Sequence, residues 1–176
     1  MIKYVKGDLF LTDCNSICHG VSCAGVMGVG VAKRMKERYP ANFKYYHNQY
    51  KFKKLKPGEV YIFAGYPRKI INLTTQSQYG RKRIKYATLE NIKSCFLKLK
   101  LLLPEYNKVI VKKGSGPIQS IALPRIGSGY GGLNWKDVKN LIDTHLSDTV
   151  PIVVFEDFKY GMKAEEENEF LSKELN

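Results

Sequence analysis

The sequence has few of the features that mark membrane, secreted or disulfide-stabilised proteins. Its four cysteines, among 176 residues, follow no regular framework of spacings. Uninterrupted apolar runs are only a few residues long, well short of the ~20 residues that cross a bilayer. A charged, strand-like segment stands at the N-terminus, where a signal peptide would have its apolar region. We therefore expect one intracellular domain, in the cytoplasm or, for a eukaryotic source, the nucleus, with no membrane partner.

A metal-binding pattern and the composition of a disordered chain are also missing. Cys14, Cys18 and Cys23 lie close together, but the paired short spacings of a zinc site are absent and His19 is the only histidine nearby. The hydrophobic fraction of 44% is near the globular average, which excludes a disordered chain. We expect neither a metal nor another cofactor.

Negative charge is scarce relative to positive charge. The chain has 29 lysines and arginines against 16 aspartates and glutamates, a formal net charge of +13. A domain this basic attracts anions, which include nucleic acid, phosphorylated metabolites and acidic surfaces. The composition does not choose among these partners.

Short apolar runs alternate with amphipathic stretches along the chain. Strands are predicted at 2–6, 17–21, 60–63, 69–73, 120–123 and 150–155. Helices are predicted at 31–39, at 42–52, at 89–103 before Pro104, and at 135–146 with Asn134 as the cap. This alternation is typical of an α/β sheet with helices on both faces. Residues 1–157 form the domain, and residues 158–176, rich in glutamate, form an acidic tail or helix.

Two glycine-rich loops and one polar loop follow predicted strands. The glycine-rich loops are 25–30 and 127–132, and the polar one is 74–80. Such loops meet at the carboxyl edge of an α/β sheet, where backbone N–H groups and a helix N-terminus suit a diphosphate. The full dinucleotide fingerprint is absent because Lys33 occupies its third glycine position, and no P-loop is present. The alternative is that the glycines serve only as tight turns.

Four segments together resemble the macrodomain family. They are 5–9 (VKGDL), 18–22 (CHGVS), 25–32 (GVMGVGVA) and 121–129 (IALPRIGSG), and the resemblance extends over residues 1–155. It is strongest to the branch that holds the terminal ADP-ribose glycohydrolase, the fungal ADP-ribose 1''-phosphate phosphatase and the antitoxins that remove ADP-ribose from DNA. The resemblance implies a three-layer α/β/α fold with a mixed central sheet and binding of ADP-ribose or its derivatives.

The family's binding residues carry over position by position. Asp8 would accept a hydrogen bond from the adenine amino group, the two glycine loops would enclose the diphosphate, and Tyr130 would pack on the distal ribose. The resemblance implies these ligand-binding residues: Asp8, Leu9, Ser22, Met27, Gly28, Val29, Gly30, Thr75, Gln76, Ser77, Arg125, Ile126, Gly127, Ser128, Gly129 and Tyr130.

His19 is the candidate catalytic residue. The phosphatase and the terminal glycohydrolase also have histidine at this position, and an imidazole beside an anionic ligand suits general acid/base work or attack on phosphorus. The alternative is a buried, hydrogen-bonded core histidine. Its orientation depends on strand register, because a slip of one residue reverses the face.

Two positions depart from the glycohydrolase pattern. Gln76 stands where the glycohydrolases have a catalytic lysine, and Gly131 stands where the terminal glycohydrolase has an aspartate. Lys82 or Lys85 would have to replace that lysine. The polar stretch 75–80 is instead similar in character to that of the phosphatase, whose chemistry needs donors around a dianionic phosphate.

The sequence therefore favours a metal-independent hydrolase that converts ADP-ribose 1''-phosphate to ADP-ribose and phosphate. The alternatives are a glycohydrolase that removes ADP-ribose from protein or nucleic acid, and a non-catalytic ADP-ribose reader. A nucleic-acid binding protein is a further class. ADP-ribosylated protein or nucleic acid are further candidate partners, and a monomer is expected.

Two basic stretches have two interpretations each. The run 81–85 is either a solvated loop or a funnel that draws phosphates towards the loops. The tyrosines and Phe52 among the lysines of 44–54 either belong to the core or stack on bases.

Overall fold

The computed structural model describes residues 1–80 and 85–175, which form one sheet and the helices around it. The strands are β1 (Ile2–Gly7), β2 (Ser16–Ser22), β3 (Val60–Phe63), β4 (Lys69–Gln76), β5 (Ile121–Pro124) and β6 (Ile152–Phe158). The helices are α1 (Gly30–Arg38), α2 (Pro40–Lys51), α3 (Leu89–Lys112), α4 (Trp135–Leu146) and α5 (Glu167–Leu175). A short 3-10 turn covers Leu9–Leu11.

The central sheet is mixed and has the order β1-β6-β5-β2-β4-β3. Neighbouring strands run parallel except for β3, which is antiparallel to β4. Consecutive strand residues alternate between two apolar clusters: Ile17 packs towards α1 and α5, and Cys18 packs towards α3 and α4. Both faces of the sheet are therefore covered, which explains the continuous apolar strands. The expected three-layer α/β/α fold with a mixed sheet is confirmed.

Helix α3 continues past the proline that was expected to end it. Pro104 lies inside the helix, which runs on to Lys112. Beyond the proline, Ile110 is buried, and the side chain of Asn107 exchanges hydrogen bonds with the backbone N–H and C=O of Ile118 at 2.8 and 2.9 Å. These tertiary contacts hold the last turns in place, so the prediction of a helix end at Pro104 was wrong.

Strand β4 is also longer than predicted, because polar residues continue the sheet. Thr74 and Thr75, expected in a loop, are buried in the strand. The Thr74 hydroxyl donates to the backbone C=O of Lys56 at 2.5 Å, so its burial costs no hydrogen bond. Strand β6 likewise runs to Phe158, beyond its predicted end.

The acidic C-terminal segment contains a helix that packs on the domain. Leu171 of α5 and the preceding Ala164 belong to the same apolar cluster as Val5 of β1. Glu167 is fully buried and accepts hydrogen bonds from the Thr12 hydroxyl and, at 3.1 Å, from the Asp13 N–H. A domain boundary at residues 157/158 stays a prediction.

None of the helices in the described ranges is both long enough and apolar enough to span a membrane.

Candidate functional site

The ends of β2, β4 and β5 and the loops that follow them surround a cleft. Its first cavity, of about 300 Å³, is lined by residues 20–22, 26, 28–32, 75, 76, 79, 124–127 and 129–131. Its second, of about 500 Å³, is lined by residues 9, 10, 30, 31, 34, 124, 125, 128, 129, 155, 156 and 158. The two share Gly30, Val31, Pro124, Arg125 and Gly129, so they form one continuous cleft. The three loops meet at one sheet edge, as their positions after strands predict.

The first glycine loop is held from below by α2. The hydroxyl of the buried Tyr46 donates to the Ser22 C=O at 2.6 Å, and Nδ1 of His47 lies 3.0 Å from the Gly25 C=O. Gly25 has a φ of +72°, and a Cβ there would lie 2.4 Å from the ring of Tyr50. Three side chains on one helix therefore fix the loop's path. In the sequence, this support is indicated by Tyr46 and Tyr50, which are four residues apart and therefore lie on the same face of the helix.

Helix α1 begins in this loop and has no side-chain cap. Val29 occupies the cap position, and no side chain accepts a hydrogen bond from the first turn. The unsatisfied N–H groups at a helix N-terminus carry partial positive charge and suit an anion. Gly30, the first residue of α1, lines both cavities. This end of α1 is the natural place for a phosphate group.

The second glycine loop is closed on itself by backbone hydrogen bonds. The Leu133 N–H donates to the Gly127 C=O at 3.0 Å, and the Gly132 N–H donates to the Gly129 C=O at 3.0 Å. Gly131 is enclosed in this turn: a Cβ on it would lie 2.4 Å from the carbonyl oxygen of Gly127. The loop conformation therefore leaves no room for any side chain at position 131.

Tyr130 brings the two glycine loops together. Its ring lies close to Gly30, since a Cβ on that glycine would be 3.6 Å from the tyrosine Cδ2. The ring is about half exposed and lines the first cavity. This placement is compatible with the expected packing of Tyr130 on a ribose.

Most of the residues predicted to bind a ligand border the cleft. Those lining the first cavity are Ser22, Gly28, Val29, Gly30, Thr75, Gln76, Arg125, Ile126, Gly127, Gly129 and Tyr130. Leu9 and Ser128 line the second. Asp8, Met27 and Ser77 line neither cavity. Met27 is buried in a small apolar cluster with Val21 and Tyr46, and Ser77 is exposed beyond the end of β4. The binding roles of all these residues stay predictions.

The carboxylate of Asp8 is already saturated with donors. Arg34 binds both of its oxygens, at 2.9 and 3.2 Å, and the N–H groups of Phe10 and Gly161 each donate at 3.1 Å. Burial raises the pKa of Asp8, but the hydrogen bonds from Arg34 and the two N–H groups outweigh it, so the pKa lies below its usual value. An adenine amino group would have to compete with these donors for Asp8.

Arg34 was not anticipated from the sequence. Its guanidinium lies 4.4 Å from the ring centroid of Phe10, 5.0 Å from that of Phe158 and 5.3 Å from that of Tyr160. The side chain lines the second cavity. Because Arg34 and Asp8 are 26 positions apart, no local pattern announces their pairing.

His19 lies on the sheet away from both cavities. It is fully buried, and its Nε2 lies 2.9 Å from Oδ1 of Asn72, which in turn bonds to the side chain of Asn42 in α2. Its Nδ1 has no hydrogen-bond partner among the described residues. Burial lowers the pKa of His19 to about 4, although the hydrogen bond to Asn72 opposes the shift.

The side chain of His19, whose direction the sequence left open, therefore does not line the cleft. The strand's alternation turns its side chain towards α2, and Asn72 directly opposite on β4 receives it. At neutral pH this imidazole is uncharged and out of contact with solvent. Its catalytic role stays a prediction, and the geometry is that of the alternative, a hydrogen-bonded core histidine.

The polar end of the cleft is formed by the end of β4. Thr75, Gln76 and Tyr79 line the first cavity there. The Gln76 C=O accepts a hydrogen bond from the Cys23 N–H at 2.9 Å, and its side-chain nitrogen donates to the Gln78 C=O at 2.8 Å. Arg125 is the single ionic side chain among the described residues of this cavity, and its guanidinium lies 5.3 Å from the Trp135 ring centroid. Neutral donors therefore dominate the polar end.

Lys82 and Lys85 were the candidates to replace the catalytic lysine of the glycohydrolases. Lys82 lies outside the described residues. Lys85 is exposed and does not line either cavity. It is tied to the second glycine loop nonetheless, because the N–H groups of Tyr86 and Ala87 donate to the Gly131 C=O at 3.0 and 3.1 Å. Within the described ranges, no three His, Cys, Asp or Glu side chains are grouped to hold a metal ion.

Comparison with known proteins decides the family. The macro domain family model matches residues 18–142, which is more than half of the chain. The chain belongs to the macro domain family. The resemblance seen in the sequence is thereby confirmed.

Three relatives place this macrodomain among known proteins. The DNA ADP-ribosyl glycohydrolase of Mycobacterium tuberculosis is 32% identical over 143 residues, which cover 79% of this chain and 37% of that protein. The ADP-ribose 1''-phosphate phosphatase of Meyerozyma guilliermondii is 23% identical over 82% of this chain and 93% of its own length. The solved macrodomain of Thermus aquaticus DarG superposes with a TM-score of 0.75 at 26% identity, covering 89% of this chain and 98% of that one. The macrodomain thus spans well under half of the glycohydrolase it matches.

Proposed function

We propose that this macrodomain binds ADP-ribose derivatives and hydrolyses ADP-ribose 1''-phosphate to ADP-ribose and phosphate. The diphosphate would lie between the two glycine loops, with one phosphate at the N-terminus of α1. The adenosine would occupy the larger cavity beside Leu9 and Phe158, and the distal ribose would lie near Tyr130. These placements are supported by the continuity of the two cavities along the sheet edge.

One observation favours a phosphatase over a glycohydrolase: position 131 is closed to side chains. In the sequence resemblance, the terminal glycohydrolase carries its catalytic aspartate at this position. Here a Cβ would lie 2.4 Å from a backbone oxygen, so the loop conformation itself is incompatible with that carboxylate. Gln76, in the place of the lysine, adds a neutral donor rather than a nucleophile or a charge.

The proposed reaction depends on positioning and electrostatic stabilisation. A water molecule attacks the phosphorus and the bond between phosphorus and O1'' of the ribose breaks. A proton of that water ends on O1'', so the products are ADP-ribose with a free 1''-hydroxyl and inorganic phosphate. Backbone N–H groups of the glycine loops and the amide of Gln76 are neutral donors suited to a dianionic group, and a fixed donor at a developing charge lowers the barrier. No carboxylate near the first cavity repels such a ligand, as far as its described lining residues show.

Turnover of synthetic ADP-ribose 1''-phosphate tests this proposal. The purified protein should release equimolar phosphate and ADP-ribose, identified by mass spectrometry. Gln76→Ala should lower kcat about 100- to 1000-fold, the range expected for losing one fixed donor. Gln78→Ala is the matched control, because its side chain is exposed and only its backbone oxygen is engaged. Absence of phosphate release by the wild-type protein would refute the phosphatase.

A further variant in the same assay tests the role of His19. If the imidazole acts only through its hydrogen bond to Asn72, His19→Gln should keep kcat within a few fold of the wild type. A loss of turnover in a folded His19→Gln protein that still binds ADP-ribose would instead favour the catalytic role predicted from the sequence.

A second candidate function is removal of ADP-ribose from DNA. It is favoured by the 32% identity to a protein named DNA ADP-ribosyl glycohydrolase. The hydrogen bonds from Tyr86 and Ala87 to Gly131 also keep Lys85, the residue directly before them, next to the cleft's second loop. Release of free ADP-ribose from ADP-ribosylated DNA, lost in Lys82→Ala or Lys85→Ala and retained in Gln76→Ala, would support this function and contradict the first.

A further inference from the structure

One part of the surface carries positive charge along a run of residues that contains no acidic side chain. Residues 38–58 contain one arginine and five lysines and no aspartate or glutamate. Four of these lysines, Lys51, Lys53, Lys54 and Lys56, lie at the end of α2 and in the turn that follows, and all four are exposed. Together with Tyr50 and Phe52 we name this surface the α2 ridge.

The lysines of the α2 ridge are not neutralised by neighbours. Ten ion pairs join charged side chains elsewhere on the described surface, and none of them includes a lysine of the ridge. Clustered lysines without counter-charges produce a local positive potential that attracts polyanions. The ridge therefore contributes a concentrated share of the protein's net charge of +13.

Two aromatic rings are exposed among these lysines. Phe52 is 70% exposed and Tyr50 is 45% exposed, and Nζ of Lys54 lies 5.8 Å from the Phe52 ring centroid. Exposed apolar side chains that are grouped, and not scattered singly, are typical of interaction sites. Aromatic rings set among cations are the arrangement with which proteins bind single-stranded nucleic acid: bases stack on the rings and lysines contact the phosphates.

The α2 ridge adjoins the cleft. The ring of Tyr50 packs directly on Gly25, where a Cβ would lie 2.4 Å from it. Val26 and Gly28, in the same loop, line the first cavity. A strand lying on the ridge would therefore come close to the first glycine loop of the cleft.

We propose that the α2 ridge binds single-stranded nucleic acid, with its lysines on the phosphates and Phe52 stacked on a base. A single strand fits better than a duplex because its bases are free to stack on an exposed ring. It fits better than an acidic protein segment because every nucleotide of a single strand pairs a phosphate with a planar base that can stack on Phe52. This binding is separate from the chemistry of the cleft and does not depend on the proposed hydrolysis.

Fluorescence anisotropy with a labelled 20-nucleotide oligothymidine tests the charge component. The triple variant Lys51→Gln, Lys54→Gln, Lys56→Gln should bind at least tenfold more weakly at 50 mM salt. The slope of the logarithm of its binding constant against the logarithm of the salt concentration should be smaller in magnitude by about 2. Each lost phosphate contact removes ~0.7 from this slope for single strands. Lys53 is left unchanged because its backbone φ of +53° lies in the left-handed region, so a substitution there would change backbone strain as well as charge.

A matched control removes the same charge from another surface. The triple variant Lys93→Gln, Lys112→Gln, Lys113→Gln lies on α3 and at its end, where all three lysines are exposed. It should weaken binding less than threefold. Equal losses in the two triple variants would show a delocalised charge effect and overturn the proposal.

Phe52→Ala tests the stacking component. One base–aromatic stack accounts for about a five- to hundredfold change in affinity, and so large an effect is expected here. Tyr66→Ala is the control, because Tyr66 is 96% exposed and lies in another turn. Binding should persist in saturating ADP-ribose and should be weaker for a duplex of the same length. An unchanged affinity in Phe52→Ala, displacement by ADP-ribose, or equal binding of the duplex would each overturn the proposal.

Discussion

Replacing Gly131 with alanine is expected to weaken ADP-ribose binding while the domain stays folded. The new Cβ would lie 2.4 Å from the carbonyl oxygen of Gly127 and 2.9 Å from its Cα, whereas ordinary contacts begin at 3.4 Å. Relief therefore requires a backbone displacement of about 1 Å in the second glycine loop. The obstructing atoms are backbone, so no side chain can rotate away to absorb the methyl group.

The magnitude follows from the hydrogen bonds that this displacement disturbs. A hydrogen bond to a charged group contributes about 1.5–3 kcal/mol. Misplacing one loop N–H that contacts a phosphate should therefore weaken binding about 10- to 100-fold, since 1.4 kcal/mol corresponds to a factor of ten. The N–H groups of Tyr86 and Ala87, which donate to Gly131, give the displacement a second route to the cleft.

Isothermal titration calorimetry with ADP-ribose measures the effect, and thermal unfolding establishes that the variant is folded. Gly116→Ala is the control: it adds the same methyl group outside the cleft, where the new Cβ meets nothing within 4 Å. Its affinity should stay within threefold of the wild type. If Gly131→Ala also binds within threefold, the loop is not the rigid cradle inferred here, and the argument that position 131 excludes a carboxylate is refuted with it.

Three further predictions concern stability, each measured by urea unfolding. Burial lowers the pKa of His19 to about 4, below its usual 6.5, so as the pH falls the unfolded chain is protonated before the folded protein. The free energy of unfolding of the wild type should therefore fall by about 3 kcal/mol between pH 7 and pH 4 because of this group, and that of His19→Gln should fall by about that much less. Tyr46→Phe should cost about 1–2 kcal/mol, because the buried C=O of Ser22 loses its 2.6 Å donor. Burial raises the pKa of Glu167 despite the hydrogen bond from Thr12, so the stability that this group contributes is lost as pH rises; the stability of the wild type relative to Glu167→Gln should therefore fall between pH 4 and pH 7. A relative stability of the wild type that stays constant or rises over this range would contradict the last of these.

The strands were predictable because they are buried on both faces. β2 begins and ends within one residue of the predicted range, and its apolar run needs no partner to be recognised. Local sequence patterns gave wrong boundaries at Pro104, where the helix continues, and at Thr74, where the strand continues. The proline is tolerated because Asn107 and Ile110 hold the following turns, and the threonine is buried because a distant C=O accepts its proton. Both outcomes depend on contacts with residues distant in sequence, and the local preference of a segment for helix or strand carries no information about such contacts.

The site was predictable in its backbone and much less so in its side chains. Glycine loops after strands lie at the sheet edge whatever the remaining sequence does, so Gly28, Gly127 and their neighbours are found in the cleft. The direction of the His19 side chain was not predictable in this way, because it depends on the strand register, which decides the face of the sheet on which the side chain lies. Asp8 is different again, since Arg34 reaches it from another element. Pairings of that kind follow from the assembled fold.

The stretch between Gln76 and Ala87 is fastened at both ends to the walls of the cleft. The Gln76 C=O is bound by the N–H of Cys23, and the Ala87 N–H is bound to the C=O of Gly131. Side-chain changes at the exposed positions 77 and 78, which follow the first anchor, therefore need not move the two glycine loops of the cleft. Evolution or a protein engineer has there two positions that alter the groups presented at the polar end of the cleft while both anchors stay in place.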